Sequence, residues 1–217
     1  MEATRVGVLG SGVVGRVLAA GLRSRGHAVT LGTRDPASAS DELRAWSDAT
    51  SVPLATFADT AAGAELIVLA TKGVANEEAI ALAGPANFAG KVTIDATNPL
   101  DFSGGGPALA VGHTDSGGEI VQRALPEARV VKAFNTVGNA LMVDPDLPGG
   151  RPTMFIAGDD ADANATVTQL LDDFGWDTLV TGGIEASREL EALCILWVRV
   201  GQARGGAWDH AITLVAP

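Results

Sequence analysis

The sequence predicts an α/β fold: a Rossmann-type doubly wound, mostly parallel sheet with a smaller C-terminal α/β extension ending in an apolar helix. Three observations predict it. Continuous β-branched runs, such as "ELIVLAT" (65–71), alternate with stretches of helical period, which is the pattern of strands buried on both faces. A glycine-rich turn, "GSGVVG", joins the first such run to the first helix. The chain of 217 residues is 47% hydrophobic, enough for a substantial core.

"RVGVL" (5–9) reads as a buried strand. "VVGRVLAAGLRSRG" (13–26) reads as a helix that Gly26 stops. "HAVTLG" (27–32) is the second strand, and 36–49 is helical. Strands at 65–71 and 91–97 flank a helix at 76–84. Residues 98–115, with Pro99, Pro107 and glycines at 104–106 and 112, read as a long loop. "SGGE" (116–119) matches a capping box, with Ser116 as N-cap and Glu119 reaching back. A short helix follows, then strands at 128–135 and 151–158, a helix at 160–175 and a strand-like 177–183. The last helix, 186–205, sets Leu190, Leu193, Trp197 and Val200 three or four residues apart, with Cys194 on the same face. Ile195, Leu196 and Val198 make it apolar nearly all round, as expected of a central helix or half of a dimer interface. The seam "DPDLPGGRP" (144–152) suggests two units, 1–148 and 149–217.

Composition excludes several classes. A net charge of -11 argues against nucleic acid, which needs clustered Lys and Arg. Cys194 is the only cysteine, so no intrachain disulfide forms and no thiolate cluster exists. His27, His113 and His210 show no metal-ligand spacing, and no metal residue is assigned. No apolar run approaches a membrane span. The N-terminus lacks the basic-then-apolar layout of a signal peptide, so a cytoplasmic location is expected.

The turn Gly10-Ser11-Gly12-Val13-Val14-Gly15 is G-x-G-x-x-G between a strand and a helix. Gly10 allows the tight turn, Gly12 lets a pyrophosphate approach the backbone, and Gly15 lets helix and strand pack closely. Free N–H groups at the helix start then face phosphate. Such turns are followed about 20 residues on by an acid for the adenosine ribose. Here the chain reads Gly32-Thr33-Arg34. A guanidinium beside a hydroxyl suits a 2′-phosphate, hence NADP(H). The rival is that Asp35 binds the ribose and the cofactor is NAD.

Other polar residues fall at strand ends, where α/β folds bind ligands. Lys72 is a candidate for a phosphate or an anionic second substrate, against a solvated cation. Asn98 and Asn135 could give amide contacts to a carboxamide or ring edge, against routine loop capping. Asp95 reads as a turn former that bonds loop N–H groups. Lys132 sits inside an apolar strand, where it must snorkel or pair with a carboxylate. His113, in the glycine-rich loop, reads as surface. Cys194 and Trp197 read as core.

Together "GSGVVGRVLAAGLRSRGHAVTLGTRDP", "DATNPL" and "VVKAFNTVG" resemble the NADPH-dependent coenzyme F-420 reductase family. The N-terminal reductase domains of the membrane ferric reductases called STEAP proteins share this pattern. The resemblance runs from residue 5 to about residue 200 and implies a Rossmann-type core, a smaller C-terminal portion that completes the second-substrate cleft, and a homodimer. It implies that Ser11, Gly12, Val13 and Val14 contact the pyrophosphate, and that Thr33 and Arg34 hold the 2′-phosphate. Ala70 and Thr71 would border the riboses. Asn98, Pro99, Asn135 and Thr136 would edge the nicotinamide and the second ligand. Some members carry a further Lys a few residues after the Arg, and "DPASAS" offers none.

The reading that follows is an NADP(H)-dependent oxidoreductase that exchanges a hydride with coenzyme F-420, an 8-hydroxy-5-deazaflavin. Direct hydride transfer requires stacked rings in a fixed orientation and no acid–base residue for the hydride itself, so no catalytic residue is assigned. The alternatives are reduction of a flavin, ferric chelate or small organic acceptor, and a non-catalytic NADP(H)-binding redox sensor. The expected partner is a small-molecule second substrate, with no nucleic acid and no membrane.

Overall fold

Alternating buried strands and amphipathic helices build one eight-stranded sheet in the computed structural model, which describes residues 2–215. In chain order the elements are β1 (Arg5–Leu9), α1 (Val13–Ser24), β2 (Ala28–Thr33), α2 (Asp41–Thr50), β3 (Leu54–Thr56), α3 (Phe57–Gly63) and β4 (Leu66–Leu69). Next come α4 (Asn76–Ala83), β5 (Val92–Asp95), β6 (Leu100–Asp101), β7 (Ala108–Leu109), α5 (Gly117–Ala124) and β8 (Arg129–Lys132). The chain ends with β9 (Thr153–Ala157), α6 (Ala161–Asp173), β10 (Asp177–Gly182) and α7 (Ser187–Ala203). Residues 1, 216 and 217 of the two expected units lie outside the described residues.

The sheet order is β3-β2-β1-β4-β5-β8-β9-β10. The first six strands are parallel, β9 meets β8 antiparallel at Lys132–Ala157, and β10 runs parallel to β9. This is the doubly wound order, with the reversal between β1 and β4. Ligands of such sheets bind outside the carboxyl ends of the strands at that reversal.

The continuous apolar strands are explained by two cores. On β4, Leu66 and Val68 join the cluster under α1 and α6, while Ile67 and Leu69 join the cluster under α3, α4 and α5. Successive side chains point to opposite faces, so a strand covered on both sides has no polar alternation to show. No helix among the described residues is long and apolar enough to cross a membrane.

Several elements depart from the sequence reading. β3 and α3 were not legible, because three residues of strand and seven of helix make too short a run to register a period. Helix α2 starts at Asp41, not at 36: the Ser40 hydroxyl accepts from Leu43 N at 3.2 Å and sets the cap. The loop 98–115 contains a two-stranded hairpin, β6 with β7. Ser116 does cap α5, accepting from Glu119 N at 3.1 Å. The Glu119 carboxylate, however, accepts from the Ser116 hydroxyl and pairs with Arg188, rather than from the Ser116 N–H. On α7 the buried stripe is Ser187, Leu190, Glu191, Cys194, Trp197, Val198 and Gly201. Val200 and Leu196 are exposed, so the helix is not apolar on its buried side alone.

Candidate functional site

The start of α1 differs from every other α-helix start among the described residues. Its N-cap, Gly12, offers no side-chain bond, and its first turn has no acidic residue. The other six carry an acid in the first turn, and α2, α3, α5 and α6 add a side-chain cap from Ser40, Thr56, Ser116 and Asp160. Among the described α-helices, α1 alone thus has neither a side-chain cap for its orphan N–H groups nor an acid to answer the positive end of its dipole. That end lies at the carboxyl edge of β1, beside the sheet reversal.

Two glycines of the turn serve different ends. A Cβ on Gly15 would overlap the Gly10 carbonyl oxygen, so close packing requires glycine there. A Cβ on Gly12 would meet nothing within 4 Å, and its φ of -70° is open to any residue. Neither packing nor backbone geometry explains Gly12. What a side chain would fill is the approach to the free amides, which is the cradle a pyrophosphate needs.

Two cavities adjoin this turn and share Gly10, Thr71 and Lys72. The first, about 330 Å³, is walled by Ser11, Thr33 and Arg34 on one side and by Phe57, Ala75, Ala79 and Leu82 on the other, with Glu78 of α4 also in its lining. That is a place for an adenine against apolar groups with a cation at its ribose edge. Arg34 is exposed and makes no hydrogen bond or ion pair among the described residues. Asp35 is outside the lining. Its carboxylate folds back to accept from Ala37 N at 3.0 Å and from the Ser38 hydroxyl, and these bonds hold it below the usual carboxylate range. The acid that could favour a bare ribose is thus engaged within its own turn, and the free guanidinium faces the cavity.

The second cavity, about 750 Å³, is floored by Gly12, Ala70, Ala96, Thr97 and Asn98 and walled by Val13, Val14, Val74, Leu100 and Phe102. Val13, Val74 and Phe102 are exposed although apolar. Phe102 projects from the β6–β7 hairpin, in a segment whose prolines and glycines predict a long loop. Leu100 in turn packs on Cys194, Trp197 and Val198 of α7.

Of the residues picked from sequence, Gly10, Ser11, Gly12, Val13, Val14, Thr33, Arg34, Ala70, Thr71, Lys72 and Asn98 line one cavity or both. Gly15, Pro99, Asn135 and Thr136 do not. Pro99, Asn135 and Thr136 are buried behind the floor. The Asn135 amide donates to Asn98 Oδ1 at 3.1 Å and to Leu190 O at 2.9 Å, while Asn98 donates to Asn135 O at 2.8 Å. Asp95 accepts from Thr97 N at 3.0 Å, and Lys132 pairs with Asp95 and Glu191. Burial opposes the Lys132 charge, but the two carboxylates outweigh it and raise its pKa above the ordinary value. Burial pushes the Cys194 thiol up to about 12, which removes it as a nucleophile. His113 is exposed and lines neither cavity.

An open α/β sheet with an uncapped glycine-rich helix start at its reversal, and a free arginine at the end of the second strand, defines a dinucleotide-binding protein of the Rossmann class. Comparison with known proteins makes this particular. Residues 5–99 match the family "NADP oxidoreductase coenzyme F420-dependent". A solved structure from Arthrobacter sp. FB24, assigned as an F420-dependent NADP-reductase, is 42% identical with a TM-score of 0.94, covering 99% of this chain and 100% of that one. The hypothetical protein SMa0349 from Sinorhizobium meliloti is 28% identical with a TM-score of 0.70, covering 86% and 88%. The metalloreductase STEAP3 of Rattus norvegicus is 30% identical over 194 residues, which are 88% of this chain and 36% of that protein. The chain thus spans about a third of the length of this curated relative. The chain belongs to the F420-dependent NADP oxidoreductase family and is an NADP-dependent oxidoreductase.

The two glycines separate by experiment. Gly15→Ala is expected to lower stability by roughly 1–3 kcal/mol through overpacking, read as a fall in the melting temperature. Gly12→Ala is expected to change stability by less than about 1 kcal/mol and yet to weaken NADP+ binding at least about tenfold (a bond to a charged group is worth this much). Unchanged NADP+ affinity in Gly12→Ala would show that nothing approaches that backbone.

Proposed function

We propose that the protein exchanges a hydride between NADPH and the deazaflavin coenzyme F-420. The observation that carries this reading is the pair of adjoining cavities, one polar with a free guanidinium and one apolar-walled, that share the floor beside the α1 start. NADPH, when bound, supplies the hydride. The chain's task is to hold two rings in register and keep water from between them.

On this reading the amides of Ser11 to Val14 hold the pyrophosphate, and Gly10 and Gly15 shape the turn that presents them. Thr33 and Arg34 hold the 2′-phosphate. Ala70 and Thr71 border the riboses, and Lys72 answers charge on either ligand. Asn98 faces the nicotinamide end, with Pro99, Asn135 and Thr136 supporting it from behind rather than by touching a ligand. The walls of Val13, Val74, Leu100 and Phe102 favour a flat conjugated ring over a hydrated ferric chelate. Residues 1–148 form the dinucleotide-binding unit. Residues 149–217 complete the second cleft by backing Leu100 with α7. The same reading takes the protein as a cytoplasmic homodimer, with the exposed Leu196 and Val200 of α7 toward the second copy.

Two measurements test the reading. Arg34→Ala is expected to weaken NADPH binding by roughly 1.5–3 kcal/mol and to leave NADH binding nearly unchanged. Equal losses for both cofactors would reject a 2′-phosphate role for Arg34. Steady-state oxidation of NADPH, with NADH in parallel, is then followed with oxidised F-420, FMN, FAD and a ferric chelate as acceptors. Bleaching of the deazaflavin with NADPH and not NADH is the expected result. Turnover with another acceptor alone would replace F-420, and NADPH binding with no turnover at all would favour the redox sensor.

A further inference from the structure

Behind the second cavity lies a buried charge cluster to which the hydride chemistry assigns no task. Lys132, Asp95 and Glu191 are each fully buried. The ammonium has three N–H groups and three acceptors: Asp95 Oδ2 at 2.6 Å, Glu191 Oε1 at 2.7 Å and the Thr97 carbonyl at 3.0 Å. Glu191 also accepts the first free amides of α5, Gly117 N at 2.9 Å and Gly118 N at 3.0 Å. One ammonium against two carboxylates leaves a single negative charge, which the N-terminus of α5 answers.

The cluster does not end at Asp95. Asp95 Oδ1 accepts the Thr97 hydroxyl at 2.6 Å. Asn76 Nδ2 donates to Thr97 Oγ1 at 2.8 Å, and Asn76 Oδ1 accepts the Thr71 hydroxyl at 2.6 Å. Thr71 and Thr97 are both floor residues of the second cavity. A second link runs alongside: Leu190 O accepts from Asn135, which holds Asn98 from both ends of its amide. Leu190 and Glu191, consecutive on α7, therefore reach Thr97 and Asn98, consecutive on the floor.

A packed core would fill this space at lower cost in desolvation, since a buried ion pair seldom gains stability over well-fitted apolar groups. What charge and directed bonds add is a unique geometry. We infer that Lys132 and Glu191 are positioning residues, which fix the Thr97–Asn98 floor through Asp95 and the Thr97 carbonyl and so set the nicotinamide end of the cleft from α7. The inference rests on the NADP(H) reading of the two cavities. It divides the cleft unevenly: the second cavity rests on the cluster directly at Thr97 and Asn98, whereas the adenosine cavity meets it only at Thr71, through Asn76 of α4, and its Ser11, Thr33 and Arg34 side makes no contact with it.

The division gives the test. The fragment 2′,5′-ADP carries the adenosine and its 2′-phosphate without the nicotinamide. Its affinity and that of NADPH are measured in the full-length parent, in Glu191→Gln and in Lys132→Met, with kcat for oxidised F-420 where the parent turns it over. Glu191→Gln keeps the side chain's size and leaves Lys132 paired with Asp95, so it is the variant that decides if Lys132→Met does not fold. The expected result is a fragment affinity within twofold of the parent. The ratio of NADPH to fragment affinity should fall at least fivefold, and kcat at least tenfold. A ratio within twofold of the parent would overturn the inference, as would an equal loss of both ligands, which a merely structural role produces. Failure of the parent itself to bind 2′,5′-ADP would instead overturn the NADP(H) reading.

Discussion

The open N-terminus of α1 is the constraint on which the rest of the structure depends. Seven α-helices start among the described residues, and six of those starts are neutralised by their own sequence. Leaving one uncapped is a cost in stability unless an anion completes it. Its place follows from topology. The strand order reverses between β1 and β4, so the helices that follow them diverge and open a crevice at the carboxyl edge. The close contact at Gly15 pulls α1 onto β1, and the bare Gly12 keeps the amides reachable. The same crevice then receives the end of β2 with Thr33 and Arg34 on one side and the end of β5 with Thr97 and Asn98 on the other.

The acidic balance of the chain gives this local arrangement its weight. A net charge of -11 provides no general attraction for a polyanion. Oriented amides, one unpaired guanidinium and one exposed ammonium at Lys72 must supply the attraction at close range. The neighbouring Asp35 is turned away into its own loop, which leaves Glu78 of α4 as the carboxylate that lines the cavity, alongside Arg34 and Lys72. The buried cluster works in the opposite regime. There each charge meets its partners in the interior, and the outcome is rigidity between α7 and the floor rather than attraction of a ligand.

Much of this was legible in the sequence, and for physical reasons. The glycine turn could be read because its spacing is local: Gly10 takes a positive φ, Gly15 packs on the Gly10 carbonyl, and the strand and helix on either side are legible in the same stretch. The strands β1, β4 and β5 could be read because burial on both faces demands unbroken apolar runs. Lys132 in "VVKAF" announced that it must either snorkel or meet a carboxylate, since an ammonium cannot lie unpaired in a core, and the fold gives it the carboxylates. What could not be read was which carboxylate. Glu191 lies 59 positions further on, and only the fold brings it near. A signal was present nonetheless: Ser187, Glu191, Cys194 and Val198 share one buried stripe, and an acid there is out of place. The buried position of Asn135 and Thr136 was not legible either. Their motif marks a strand end, but it does not say that Asn98 stands between them and the cleft. The hairpin that carries Phe102 has only two residues per strand, below what periodicity can register.

The claim at the centre of this account is that the first turn of α1 holds the pyrophosphate, and the end of β2 the 2′-phosphate, of one NADP(H). Backbone amide shifts report on it directly. Two-dimensional 1H–15N spectra of the labelled protein, recorded as NADP+ is added, should show the largest changes at Ser11 to Gly15 and a second group at Thr33 and Arg34. With NAD+ the first group should move and the second should stay nearly still. Changes confined to other segments, with the α1 amides unmoved at saturation, would contradict the account.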